Sequence, residues 1–197
     1  MANSNSPFGL ALANAKNAYY SGVLTQCYVP ASDSNALFIG DAVKLATGSN
    51  SSEILGHKPG TLPIVAKVAA TDKIDGVIVG ILPNGSSYMS GKKPASTEAV
   101  VFVILNPMAK FNIQANGAVT AAMVGKYAKL SLSTAGNDYT GISGMALDVA
   151  TVDTDATLPL KIVDIANDYP LDSLGNYSVC VVELNHPVIV EAPADNG

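Results

Sequence analysis

Two seven-residue apolar runs, GVIVGIL at 76–82 and AVVFVIL at 99–105, constrain this chain more than any other feature. Neither can cross a bilayer as a helix, which needs about 20 apolar residues. Both are closed by turn formers, Pro83-Asn84-Gly85 after the first and Asn106-Pro107 after the second. Valine and isoleucine, stiff at χ1, suit a pleated surface. The runs therefore read as β-strands, and their neighbours extend the pattern. Residues 22–29, 63–70, 110–114, 126–133, 158–166, 177–184 and 187–191 have the same character. ALFIGDAVKLA (36–46) alternates, with Leu37, Ile39, Val43 and Leu45 on one face and Lys44 opposite. GAVTAAMVG (117–125) is compatible with a short helix or a strand. GSNSSEILGHKPG (48–60) and the polar stretch 83–97 read as loops, the latter the longest candidate for a mobile one. Strands at this spacing, separated by Gly, Pro and Asn, predict an all-β fold. The expected architecture is a mainly antiparallel barrel or sandwich with little helix.

Residues 1–21 read as an extended N-terminal arm, 22–191 as the β-rich domain and 192–197 as a flexible tail. Two related β units, 22–106 and 107–191, are suggested by a weak internal match. GDAVKL, TLPIVAKVAA and GVIVGIL in the first half parallel KYAKL, TLPLKIVDIA and YSVCVVEL in the second.

Composition narrows the function classes. Charged residues are 14% of the 197, against about 25% in ordinary soluble domains. Such a surface is either bland or covered by other protein. A lipid-facing barrel would show aromatic girdles and ten-residue alternating strands, and neither is present. No basic residue precedes Lys16, so no secretory signal is expected. The net charge is −5 and every basic residue is lysine. Direct nucleic-acid binding, which relies on basic patches and often on Arg forks, is not expected. Lys92-Lys93 reads as a solvated loop tip. Cys27 and Cys180, each in an apolar run, read as buried free thiols.

Ser143, in YTGISGMALD, raises the question of a nucleophile. A nucleophile elbow needs G-x-S-x-G; Gly141 is in place but Met145 occupies the second glycine position. The candidate bases, His57 and His186, sit in undistinguished contexts. GISG reads better as a turn or bulge. Asp148, Asp153 and Asp155 lack the spacing of a calcium loop and, with Asp72 and Asp75, read as turn residues. Cys-x-x-Cys, His-x-x-x-His and glycine-rich phosphate loops are missing from the sequence. No catalytic residue, metal site or cofactor is expected.

YVPASDSNALFIGDAVKL, AKVAATDKIDGVIVGI, GISGMALD, ATLPLKIVDI and VVELNHPV together resemble a group of tailed-bacteriophage virion proteins, the head decoration or cement proteins. The resemblance runs from about residue 7 to residue 190 and is densest in DYTGISGMALDVATVDTDATLPL. It implies a non-enzymatic β-rich subunit on the outer surface of the capsid, made in the host cytoplasm and bridging neighbouring major capsid proteins. It also implies self-association, as a homotrimer or a dimer, with no membrane or nucleic-acid partner. The alternatives are a major building block of the virion, coat or tail-tube, and a β-barrel enzyme. Phe8, Leu10, Leu12, Tyr19 and Tyr20 are the expected anchors of an arm that reaches a neighbouring subunit.

Overall fold

The computed structural model describes residues 3–13, 24–82, 91–106, 108–166 and 174–185. It is an all-β protein built as a closed barrel packed against an open sheet. The barrel strands are β2 (Leu24–Val29), β4 (Ala42–Ser49), β5 (Pro63–Lys67), β6 (Gly76–Leu82) and β8 (Ala99–Ile104). They close in the order β2-β5-β4-β6-β8, antiparallel except where β2 and β5 run parallel at Tyr28 and Ile64. The sheet contains β1 (Ala11–Leu12), β9 (Lys110–Gln114), β10 (Tyr127–Ser131), β11 (Ala146–Asp153), β12 (Leu160–Ile165) and β13 (Val179–Leu184). Its order is β1-β9-β13-β12-β10-β11, all antiparallel. A short ribbon pairs β3 (Leu37–Phe38) with β7 (Lys92–Lys93).

The unbroken apolar runs are explained by this packing. A strand that is covered on both faces needs no polar alternation. In β8, Val101 and Val103 fill the barrel with Cys27, Val29, Val43 and Ile78. Ile104 and, from β6, Val77 face outward into the sheet's core beside Phe111, Ile113, Leu130, Leu147, Ile162 and Val182. Val100 packs with Tyr28, Ile54 and Leu62 beneath the 50–62 loop. One chain of contacts thus joins barrel, sheet and loop.

Several expectations change. ALFIGDAVKLA is two strands, broken where Gly40 takes φ 91. The break releases the second half from the first half's alternation, and Leu45 is 48% exposed. Lys93 is not a solvated tip. Paired opposite Leu37, its ammonium is buried and donates to the carbonyls of Asp33 (3.1 Å) and Asn35 (2.9 Å). Burial pulls its pKa down, and the nearby Asp33 charge partly opposes this. DVATVD, read as turns, lies within β11, yet the local side-chain-to-backbone bonds expected of these aspartates are made: Asp148 Oδ1 accepts from Ala150 N–H, Asp153 Oδ1 from Thr154 N–H and Asp155 Oδ1 from Thr157 N–H. Residues 121–123 form a single 3₁₀ turn. The proposed internal duplication is not reflected in strand order: the matched strands run β5-β4-β6 in the first half and β10-β12-β13 in the second.

The arm is described only over residues 3–13. Residues 3–13 lie on their own chain. Leu10 is 1% exposed within the shared core. Gly9 N–H donates to Met145 O, Leu10 N–H to Gly40 O and Ala13 N–H to Lys110 O. Gln114 holds the entry: its Oε1 accepts from Ser6 N–H (2.8 Å) and its Nε2 donates to the carbonyls of Ser4 (2.9 Å) and Tyr177 (3.1 Å). Phe8 is half-buried and Leu12 36% exposed. Tyr19, Tyr20, His186 and the 187–191 strand lie outside the described residues.

Cys27 and Cys180 are free and fully buried. Burial pushes their thiols up to about 11 and about 12. At pH 8 a thiol reagent is expected to leave the native protein unmodified and to label both cysteines once denaturant opens the core. The unfolded thiols ionise near 9.0 and the folded ones at about 11 and 12, so the folded state holds more protons between those values. These two groups therefore lower stability as pH rises above about 9, which a denaturant series across that range would register. Labelling of the native chain at pH 8 would contradict the burial.

Candidate functional site

The segment 134–145 lies in the loop between β10 and β11 and packs against the β3–β7 ribbon. Local chemistry rigidifies it. Asn137 Oδ1 accepts from the amides of Tyr139 (2.9 Å) and Thr140 (3.1 Å), and Gly141 N–H closes the turn onto Asn137 O. Asp138 pairs with Lys92 at 2.6 Å. Gly141, at φ 72, sits so close to Gly91 that a Cβ would come within 2.7 Å of its backbone. This fixed loop presents Tyr139 at 96% exposure and Ile142 at 41%.

Ser143 points the other way. It is 1% exposed, its hydroxyl donates to Asp41 Oδ1 at 2.5 Å, and its Oγ accepts from Met145 N–H at 3.1 Å. Asp41 Oδ2 accepts from Phe38 N–H (3.1 Å) and pairs with Lys67 Nζ (3.2 Å). Gly9 completes the junction, with Gly40 O and Ser143 Cβ where its own Cβ would stand. Ser143 is thus a structural tie between arm, barrel and loop, with its proton committed to a carboxylate. His57 sits elsewhere, its backbone paired with Ile54 at a hairpin end. The signal that could have revealed the junction, GD at 40–41 answering GIS at 141–143, is 102 residues apart in sequence.

Beside the loop runs an open groove of about 310 Å³. Phe8, Leu10, Leu12, Ile39, Val79 and Ile142 line it. Phe8, Leu10 and Leu12, expected as anchors, therefore do come together, as the wall of a groove on their own chain. Sequence reasoning missed Tyr139 and Ile142 as surface features, because it read YTGISG for the serine.

Among the described residues, no three of His, Cys, Asp and Glu gather as metal ligands, and no helix is long and apolar enough to cross a membrane. What the site offers is contact chemistry: a bare aromatic and an apolar groove on a rigid frame. No family model, curated protein or solved structure matches the chain.

Proposed function

We propose that this chain is a non-enzymatic virion subunit that binds the outer surface of a tailed-phage capsid and stabilises it by bridging neighbouring major capsid proteins. The observation that carries the reading is Tyr139. A tyrosine with almost no contact on its own chain, held on a loop whose backbone is fixed by Asn137, Asp138 and Gly141, has the character of an interface anchor. It also lies in the segment where the resemblance to decoration proteins is densest. Little ordering cost remains when such a loop docks.

A subunit of this kind stabilises a shell by binding the assembled lattice in preference to loose coat subunits. Many copies on one particle make modest individual contacts effective. The test uses expanded heads that lack this chain, with the purified protein added back. Tyr139→Ala is expected to bind roughly 30-fold more weakly, the scale of a hot-spot residue, with an unchanged melting temperature. Met108→Ala, at a side chain 82% exposed, serves as the surface control and is expected to bind normally. Failure of the unaltered chain to bind heads would sink the reading; equal binding by Tyr139→Ala would remove this loop from it.

A further inference from the structure

Asn116 lies against β11, the last strand of the open sheet, where the single bridge Ala115–Leu147 brings the chain alongside. Its N–H donates to Leu147 O at 2.9 Å. Its Oδ1 accepts from Val149 N–H at 3.0 Å, and its Nδ2 donates to Asp148 Oδ1 at 3.1 Å. The residue is exposed, and its side chain makes two of the four hydrogen bonds open to an amide. Asn50 is the contrast. It is 2% exposed and makes all four, to Ser52 O, Lys58 O and the amides of Thr61 and Leu62.

Gly117 follows Asn116. With no Cβ on that residue, nothing shields its nitrogen. Its N–H donates to no group among the described residues. The Gly117 nitrogen is therefore a nucleophile with open access to the preceding side-chain carbonyl. Base removes the Gly117 amide proton, the nitrogen bonds to Asn116 Cγ, and the Cγ–Nδ2 bond breaks. Nδ2 takes a proton from water and leaves as ammonia. Water then opens the cyclic imide, at Cγ to give aspartate or at the main-chain carbonyl to give isoaspartate. One water is consumed and one ammonia released, with no other reactant. Val149 N–H already rests on the Oδ1 atom that gathers negative charge during the attack.

We infer that Asn116 is a site of spontaneous deamidation in the folded chain, and that its conversion uncovers the edge of β11. An aspartate there sets a second carboxylate where Nδ2 had donated to Asp148, and like charges repel. Isoaspartate adds a carbon to the main chain between two fixed bonds, Asn116 N–H to Leu147 O and Tyr177 N–H to Gly117 O. Either product loosens the cover over Leu147 O and Val149 N–H. Unpaired groups on a sheet edge are a template for pairing with another chain, so the conversion is a slow timer on the integrity of that edge. The inference does not depend on capsid binding, and its test needs no capsid.

The purified full chain is held folded at pH 8 and sampled over weeks by mass-spectrometric peptide mapping. The peptide that contains Asn116 is expected to gain one dalton, the difference between the water taken up and the ammonia released. Gly117→Ala should slow this about tenfold, because the new Cβ crowds the attacking nitrogen. That Cβ would stand 3.7 Å from Val149 Cβ, an ordinary contact, so the variant keeps its fold. Amide exchange over residues 146–150 should quicken as the converted fraction grows, and Asn116→Asp should show quickened exchange from the start. A folded chain that keeps Asn116 intact while the urea-unfolded chain converts would overturn the inference. So would equal rates in wild type and Gly117→Ala. Conversion that leaves exchange in β11 unchanged would overturn the uncovering of the edge.

Discussion

Replacing Gly9 with alanine is expected to cost roughly 3 kcal/mol or more and to lower the melting temperature by about 10 °C. Gly9 has φ 72, so any Cβ carries the left-handed penalty of about 1–2 kcal/mol. Here the Cβ would also stand 2.5 Å from Gly40 O and 2.6 Å from Ser143 Cβ. Neither atom is the end of a flexible side chain, so the arm must lift. Lifting it breaks the Gly9–Met145 and Leu10–Gly40 hydrogen bonds and draws Leu10 from the core. Gly125→Ala separates the two causes: that glycine has φ 86 with nothing within 4 Å of its would-be Cβ, so it carries the strain without the collision. Its expected cost is about 1 kcal/mol. Equal effects at both sites in a thermal melt would mean that the arm is not seated as described. Truncation of the arm is, for the same reason, a stability experiment before it is a binding experiment.

The second large effect is at Asp41. Asp41→Ala is expected to cost about 3–5 kcal/mol, the range for stripping one partner from a buried charged network. The carboxylate is 1% exposed and serves Ser143 Oγ, Phe38 N–H and Lys67 Nζ together. Without it a buried amide and a buried hydroxyl lose their acceptor. Lys67, with its side chain 23% exposed, can turn towards water, which holds the loss to the lower part of that range. Ser143→Ala should cost less, about 1–2 kcal/mol, because Asp41 keeps its other partners. The double variant should be little worse than Asp41→Ala alone, since the two side chains share one interaction. Chemical denaturation measures all three; strict additivity would contradict the coupling.

The all-β class was legible because valine- and isoleucine-rich runs bounded by Pro, Gly and Asn have few other destinations. What sequence periodicity could not reveal was which face each strand would bury. Leu45 reads as core until Gly40 breaks the strand before it, and AVVFVI gives no hint that one face fills a barrel while the other meets a sheet. DVATVD reads as turns because aspartate is a poor strand former, yet it forms β11 at the open edge of the sheet. Asn116 covers part of that edge, bonding Val149 N–H and Asp148. Acidic residues suit a strand that has no neighbour on one side. Lys93 is buried because two carbonyls of the 33–35 turn lie within its reach, a long-range coincidence that no local pattern encodes. The site followed the same rule. Ser143 drew attention as chemistry and is packing, whereas Tyr139, four residues earlier, is the most exposed of the large apolar side chains among the described residues.

The central claim, that this chain rides on the outside of a capsid, is tested most directly by cryo-electron microscopy of virions that carry it. The account predicts density for the barrel and sheet above the continuous shell, spanning adjacent coat subunits, with the 134–145 loop and Tyr139 turned towards them. Density within the shell wall or the tail tube, or particles without this chain, would contradict it.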